Sequence, residues 1–283
     1  MKLSIPVVET INKRHSTRSF EHKNLSLEDR EKLLKYIPSL SNPFGADVKF
    51  HIAEKQLASN GEKLGTYGII KGASTFLGVS ISKNKFGLLA AGYEFENLIL
   101  YATNMGLATV WLAATFSRKD FIKAMHIDEN DQFIAISPVG YPAKKLTIQD
   151  KLMRKALKSS TRKPWQDIFF YENFNTALTS EIAGSYATAL EMLRLAPSAT
   201  NAQPWRVIKS NNMYHFYITY KSNTSEKAAY IKQVDLGIAL SHFHQTTLEL
   251  NLNGYFKQFD NIDINAPKDF HYIISWIDDS SSC

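Results

Sequence analysis

Apolar residues recur at helical spacing in two stretches of this 283-residue chain, and the two stretches resemble each other. The first covers residues 26–39 and the second covers residues 185–198, at an offset of 159 positions. Each begins with a serine, which favours the N-terminal cap of a helix, and each is expected to leave the helix before a proline. The pattern therefore predicts two amphipathic helices in equivalent places.

A second pair of similar stretches, residues 92–107 and 237–252, follows at an offset of 145 positions. The order and the spacing of the two pairs repeat together, which indicates an internal duplication; the alternative is a chance likeness between amphipathic helices. The fall in offset predicts 14 extra residues in the first half. Residues 60–73 are the candidate, because they have no clear counterpart in the second half.

Runs of β-branched and aromatic residues predict strands in both halves. They are residues 48–53, 75–81, 109–113, 133–137, 206–209, 213–220, 254–259 and 270–276. Helices and strands are interleaved, so the expected fold class is α+β, with β-sheets flanked by helices. The polar segment 144–160 is expected to connect the halves, which gives domains of residues 1–158 and 159–283.

Composition argues against several classes of function. The net charge is +6, but the lysines are scattered and no zinc-ligand set occurs, so no nucleic-acid partner is expected. No run of 18 apolar residues occurs, so no membrane span is expected. His242 and His244 do not share a helical face, and no metal site is predicted. Cys283 is the one cysteine, which fits a reducing compartment and a cytoplasmic protein.

Arg14, Ser16 and Arg18 alternate along the chain, which places them on one side of an extended segment. Guanidinium and hydroxyl groups at this spacing can converge on the oxygens of a phosphate. The alternative is an ordinary polar turn that leads into a helix. The segment is therefore a candidate phosphate site.

Residues 197–201 follow the second amphipathic helix and read Pro-Ser-Ala-Thr-Asn. Their hydroxyl and amide groups can donate to and accept from the polar edge of a ligand. The alternative is simple termination of the helix by Pro197. The order of helix, loop, Gln203-Pro204-Trp205 and strand makes the ligand interpretation the stronger one.

The two segments together resemble the nitroreductase family of FMN enzymes, and the resemblance covers almost the whole chain. In that family, a segment like residues 14–20 binds the flavin phosphate, and one like residues 196–205 reaches the flavin ring from the partner subunit. Both occur here in one chain, as in a subgroup in which two nitroreductase-like halves are fused. The resemblance implies a nitroreductase-like fold, duplicated as a pseudo-dimer, with a monomer sufficient for the site.

The resemblance also implies roles for residues elsewhere. Ala113 and Ala114 would lie against the ring, where small side chains permit close approach. Lys71 would lie near flavin N1 and O2, where a cation stabilises the reduced anion, unless it is an ordinary surface lysine. Arg162 would reach the phosphate, unless it is a solvated charge in a basic linker. The expected FMN-binding residues are Arg14, His15, Ser16, Arg18, Lys71, Ala113, Ala114, Arg162, Pro197, Ser198, Thr200 and Asn201.

A single FMN per chain is expected from the offset between the halves. At 159 positions, Asn173, Asn175 and Ala177 stand where the first half has Arg14, Ser16 and Arg18. A second phosphate site at this place would lack both guanidinium groups.

The activity implied by the resemblance is reduction of FMN by NADH or NADPH, followed by reduction of nitroaromatic, quinone or related acceptors. Hydride enters and leaves at the flavin, so no catalytic side chain is assigned beyond the cofactor-binding residues. The alternative is a flavin-binding protein without turnover, used for storage or sensing.

Overall fold

The computed structural model describes residues 2–55, 64–144 and 161–279, together with the isolated positions 152 and 155. The chain divides into two compact units. The first unit comprises Met1, Leu3 and Lys13–Ser159, and the second comprises Lys2, Ser4–Asn12 and Ser160–Cys283. Within these described residues, no helix is both long and apolar enough to cross a membrane, and no cluster of metal-ligating side chains occurs.

The first unit contains an antiparallel sheet with the strand order β1-β2-β4-β3. Its strands are β1 (Val48–Glu54), β2 (Thr75–Ile81), β3 (Ala108–Thr109) and β4 (Gln132–Gly140). Its helices are α2 (Leu27–Tyr36), α3 (Gly87–Asn104) and α4 (Arg118–Ala124), and a 3-10 turn, Ile37–Ser39, extends α2.

The second unit contains a larger sheet with the strand order β6-β5-β7-β8-β10-β9. Its strands are β5 (Phe169–Tyr171), β6 (Asn173–Ala177), β7 (Trp205–Ser210), β8 (Met213–Thr219), β9 (Gly254–Lys257) and β10 (Phe270–Asp278). Its helices are α1 (Val7–Lys13, of which residues 7–12 belong to this unit), α5 (Ser180–Ala183), α6 (Ala187–Leu195) and α7 (Glu226–Glu249). β5 pairs with β7 in parallel, and the other pairs are antiparallel.

The two units repeat one topology. Along the chain, α2, β1, β2, α3, β3 and β4 follow the same order as α6, β7, β8, α7, β9 and β10, except that the first unit adds α4 between β3 and β4. Across the sheets, β1-β2-β4-β3 matches β7-β8-β10-β9. The largest excess of residues in the first unit lies between β1 and β2, where residues 55–74 correspond to a short turn, residues 211–212, in the second unit. The predicted extra segment falls in this connection, although residues 60–63 lie outside the described ranges. The β3–β4 connection, residues 110–131, is also longer than residues 258–269 between β9 and β10.

Each unit buries one long helix against its sheet. α3 is buried almost all round its circumference, and its buried residues include the polar side chains of Glu94, Glu96 and Asn97. In the second unit, Phe243 of α7 packs against Phe216 of β8 with ring centroids 5.4 Å apart, and both side chains are fully buried. Buried carboxylates need partners, because an unpaired charge in the interior is costly. The partners of Glu96 lead to the site described below.

The two predicted helix starts have different outcomes. Ser26 is the N-cap of α2, since its hydroxyl accepts a hydrogen bond from the Asp29 N–H at 3.1 Å. The prediction for Ser185 is wrong, because the helical segment begins earlier, where the Thr179 hydroxyl accepts from the Ile182 N–H. Gly184, with φ +57°, interrupts that segment before α6 begins.

The alignment of residues 173–177 with residues 14–18 is also wrong. Residues 173–177 form β6, at the end of their sheet opposite β9. In the first unit, Ser16 bridges to Thr109 in β3, the strand that corresponds to β9. The two segments therefore border non-equivalent sheet edges. The expectation of one FMN per chain depended on this alignment and is no longer supported by it. The sequence also did not predict β5 and β6, and it predicted a longer β3.

Helix α1 joins the second unit through its N-terminus, although it precedes the first unit in the chain. The Val7 N–H and the Val8 N–H donate to the two carboxylate oxygens of Glu249 at 2.7 and 2.9 Å. A carboxylate at this end satisfies backbone donors that have no partner within the helix.

Candidate functional site

The 14–20 segment is extended and is held by backbone hydrogen bonds from the first unit. The Thr17 N–H donates to the Thr109 carbonyl at 2.9 Å. The Phe20 N–H donates to the Lys71 carbonyl at 2.8 Å, and the Lys71 N–H donates to the Arg18 carbonyl at 2.9 Å. The structure therefore brings Lys71 beside the segment and leaves its side chain exposed. Its predicted place near flavin N1 and O2 stays a prediction.

Residues 141–143 hold the same segment as well. The Glu21 N–H donates to the Tyr141 carbonyl at 2.9 Å, and the Ala143 N–H donates to the Ser19 carbonyl at 3.0 Å. With both flanks bonded, the segment behaves as an added strand whose backbone direction is fixed.

Gly72 permits the close approach between the 14–20 segment and the Lys71 connection. Its φ is +86°, and a Cβ built on it would lie 2.1 Å from the Phe20 carbonyl oxygen. Only glycine satisfies both the conformation and the space at this position.

Arg14 carries a buried charge that the described residues leave without a hydrogen bond. Its side chain is 6% exposed, and its Nε has no hydrogen-bond partner in the described ranges. The nearest carboxylate is that of Glu96, with Nε 3.7 Å from Oε1. Burial lowers the pKa of Arg14 and Glu96 partly restores it, but a guanidinium stays protonated in proteins. A charged fork of N–H donors is thus held at the start of the segment.

Glu96 was not predicted from the sequence. Its side chain is fully buried in α3, and its Oε2 accepts a hydrogen bond from the Trp111 indole N–H at 2.7 Å. One carboxylate therefore connects Arg14 to the chain that follows β3. The polar residues Glu94, Glu96 and Asn97 within a mainly apolar helical stretch were the sequence signal that could have identified it.

Arg118, also missed, fixes the turn that contains Ala113 and Ala114. Its guanidinium donates to the carbonyls of Phe133, Ala113 and Ile134 at 2.6, 3.0 and 3.0 Å. Burial lowers its pKa. Ala113 is half-buried and Ala114 is exposed.

The other predicted residues of the first unit lie in the same segment. Arg18 is 9% exposed and Ser16 is half-buried. His15 is exposed, and its Nδ1 lies 3.1 Å from the Lys13 carbonyl oxygen. Arg14, His15, Ser16 and Arg18 therefore lie in one extended segment with Lys71 hydrogen-bonded beside it, and Ala113 and Ala114 lie in a turn of the same unit that Arg118 contacts.

The 197–203 loop of the second unit has an unusual backbone. Thr200, Asn201 and Gln203 have φ values of +52°, +57° and +47°. Two hydrogen bonds stabilise the loop: the Ser198 hydroxyl accepts from the Gln203 N–H at 2.9 Å, and a buried carboxylate oxygen of Asp235 accepts from the Ala199 N–H at 2.9 Å. Non-glycine residues in this conformation persist where the surroundings hold them.

Arg162 lies beside the same loop. Its Nε and Nη2 donate to the Leu195 carbonyl at 3.2 and 2.9 Å, and its Nη1 lies 3.4 Å from the Asn201 side-chain oxygen. A cation at this place satisfies a carbonyl at the C-terminus of α6. Its predicted contact with phosphate stays a prediction, as do the ring contacts of Pro197, Ser198, Thr200 and Asn201.

Asp235 should make the stability of the protein depend on pH. Burial raises its pKa to about 7, whereas an aspartate in an unfolded chain titrates near ~3.9. The folded protein therefore binds the proton more tightly, so the free energy of unfolding falls as pH rises from about 4 to about 7. Asp235→Asn keeps an acceptor for Ala199 and removes the titration.

We expect Asp235→Asn to lose less thermal stability than the wild type between pH 5 and pH 8. The wild type should lose on the order of a few kcal/mol more free energy of unfolding than the variant over this pH range, since one pKa unit corresponds to about 1.4 kcal/mol. Melting curves at both pH values provide the measurement. Asp260→Asn, at an exposed position, controls for the loss of a charge. An unchanged pH slope in Asp235→Asn would refute the assignment.

The fold has known counterparts. A Thermotoga maritima protein described as a putative nitroreductase is 21% identical, with 98% of this chain and 95% of that chain covered and a TM-score of 0.60. A Bacteroides fragilis nitroreductase with bound FMN is 20% identical over 50% of this chain and 91% of that chain, with a TM-score of 0.41. An FMN-dependent nitroreductase from Clostridium difficile is 18% identical over 49% and 88%, with a TM-score of 0.41. The first of these matches shows a nitroreductase-like fold over 98% of the chain.

Comparison of the sequence with protein families assigns the chain to one of them. Residues 6–247 match the family described as Putative TM nitroreductase. The chain therefore belongs to this family, and the predicted family and fold class are confirmed. No curated protein matches the chain.

Proposed function

We propose that the protein is an FMN-dependent oxidoreductase that takes electrons from NADH or NADPH and passes them to a small-molecule acceptor. The observation that carries the proposal is the buried, charged guanidinium of Arg14, with Nε unbonded in the described ranges. Its Nε–H fits an anionic acceptor in addition to the Glu96 carboxylate, because a buried donor without a hydrogen bond is costly. Membership of the nitroreductase family supports FMN as the source of that anion.

The donors of the first unit fit a phosphate group. Arg14 and Arg18 supply guanidinium forks, which match phosphate geometry, and Ser16 supplies a hydroxyl. His15, next to Ser16, is exposed and adds a ring nitrogen. The bonded flanks of the segment hold these groups in place before a ligand binds, which lowers the entropic cost of binding.

The remaining residues are proposed to contact the flavin ring. Bound FMN would supply hydride transfer at N5 of its ring. Lys71 would place a cation near N1 and O2, and Ala113 and Ala114 would permit close approach of the backbone. The 197–203 loop would present hydroxyl and amide groups to the polar edge of the ring, and Arg162 would add a cation for the phosphate. The chain's own contribution to the chemistry is then to orient donor and acceptor and to exclude water.

The acceptor class is proposed as nitroaromatic compounds or quinones, on the resemblance to the nitroreductase family. Donor and acceptor would occupy one place in turn, so parallel lines are expected in a double-reciprocal series. A flavin-binding protein without turnover is the second candidate. The exposed Ala114 favours the enzyme, because an accessible turn leaves room for a substrate.

The test begins with the visible spectrum of the purified protein. We expect a flavin spectrum, FMN on release by heat, and bleaching on anaerobic addition of NADH or NADPH. Addition of a quinone should then restore the oxidised spectrum. Bound FMN that stays oxidised with both nucleotides would favour the storage or sensing protein. The absence of flavin binding after incubation with excess FMN would refute the proposal altogether.

A further inference from the structure

We propose that Glu96 is the internal counter-anion of Arg14, which holds the guanidinium in the buried position until a phosphate dianion takes over that role. This inference rests on the proposed function, since it assigns the phosphate of FMN to Arg14. It adds a positioning residue that the sequence did not reveal.

The geometry of the pair is that of a charge pair without a shared proton. Arg14 Nε and Glu96 Oε1 are 3.7 Å apart, beyond normal hydrogen-bond distance, and the two side chains are 6% and 0% exposed. No other carboxylate in the described ranges lies within 4.0 Å of the Arg14 guanidinium. The interior therefore compensates this charge mainly through Glu96.

The carboxylate is oriented by a different residue. Its Oε2 accepts from the Trp111 indole N–H at 2.7 Å, so the position of Glu96 does not depend on Arg14. Glu96 attracts the guanidinium without a hydrogen bond to Nε, which is itself shielded from solvent. A phosphate can bind without breaking an existing hydrogen bond at Nε.

The expected change in stability follows from a comparison of the phosphate-free and the phosphate-bound protein. Without phosphate, loss of the Glu96 charge leaves Arg14 as an uncompensated buried cation, which is strongly destabilising. With phosphate bound, the ligand supplies the negative charge. Glu96→Gln should therefore destabilise the phosphate-free protein more than the phosphate-bound protein, and phosphate should stabilise the variant more than the wild type.

The experiment compares melting temperatures of the wild type, Glu96→Gln and Glu94→Gln. Glu94 is the matched control, because it is a buried carboxylate of the same helix that contacts Asn42 instead of Arg14. Each protein is measured without ligand, with inorganic phosphate, with FMN and with riboflavin, at matched ionic strength. The melting temperature of ligand-free Glu96→Gln should be lower by roughly 5 °C.

Inorganic phosphate and FMN should recover most of the lost melting temperature in Glu96→Gln. They should raise the melting temperatures of the wild type and Glu94→Gln by less. Riboflavin, which lacks the phosphate, should not restore it. Equal shifts by phosphate in all three proteins would overturn the proposal. Failure of FMN to bind the wild type would instead defeat the proposed function, while the inorganic-phosphate arm would still test Glu96.

The double variant Arg14→Gln with Glu96→Gln covers the case in which Glu96→Gln does not fold. Removal of both charges should recover stability relative to Glu96→Gln, because no unpaired charge remains buried. A double variant no more stable than Glu96→Gln would overturn the proposal, since Glu96 would then matter only as the partner of Trp111.

Discussion

Simultaneous replacement of Arg14 and Arg18 by alanine should leave a protein that purifies without FMN. Charge-assisted hydrogen bonds contribute roughly 1.5–3 kcal/mol each, so loss of both guanidinium groups should weaken FMN binding by at least about a hundredfold. Quenching of FMN fluorescence in a titration with apoprotein gives the dissociation constant. The effect should depend on the phosphate, because the two arginines are not expected to contact the ring.

Riboflavin provides the control for this prediction. Its affinity should change little in the variant, while that of FMN falls to a similar value. Arg14→Lys with Arg18→Lys keeps both charges and should lose less than the alanine variant, since an ammonium group binds phosphate as a point charge. Full FMN occupancy in the alanine variant at low micromolar protein would disprove the phosphate assignment.

Gly72→Ala should be the most destabilising single substitution next to the 14–20 segment. An alanine at φ +86° costs about 1–2 kcal/mol in backbone strain, and its Cβ would lie 2.1 Å from the Phe20 carbonyl oxygen. Relief of that clash must separate Lys71 from the segment and break hydrogen bonds to Phe20 and Arg18. With about 1 kcal/mol for each lost bond, we expect a total loss of about 3 kcal/mol or more in the free energy of unfolding.

Gly68→Ala is the matched control for Gly72→Ala. Gly68 has a similar φ of +74°, but no atom lies within 4 Å of a Cβ built on it. It should therefore show the strain of about 1–2 kcal/mol without the clash. Urea denaturation of both variants, with FMN binding as a second readout, separates the two contributions. Equal losses of stability would mean that the close approach to Phe20 does not matter.

The sequence predicted those parts of the fold that depend on local pattern. Strand β2 was predicted with its observed bounds, and the cap at Ser26 was predicted correctly, because strand-forming residue types and capping are properties of neighbouring residues. The predicted family was also correct, and residues 14–20 and 196–205, which suggested it, lie within the matched range 6–247. The predicted helix start at Ser185 was wrong, since Thr179 caps an earlier helical segment that Gly184 then interrupts.

The parts that could not be predicted depend on residues far apart in the chain. The role of Glu96 depends on its contacts with Arg14 and Trp111. The role of Arg118 depends on its hydrogen bonds to carbonyls of β4 and the preceding turn. Neither residue belongs to a motif. Residues 173–177 were misaligned for a related reason, because an offset carried along the chain does not reveal which edge of a sheet a segment joins.

The two units share a topology but have connections of unequal length, and this affects how the protein's sequence can evolve. In a symmetric homodimer, one codon specifies both copies of every residue, so a beneficial substitution at one copy is also imposed on the other. Here the β1–β2 connection with Lys71 and Gly72 can vary while the turn at residues 211–212 stays short. Each unit can therefore acquire substitutions independently, and in directed evolution a library confined to one unit would leave the other unit's sequence untouched.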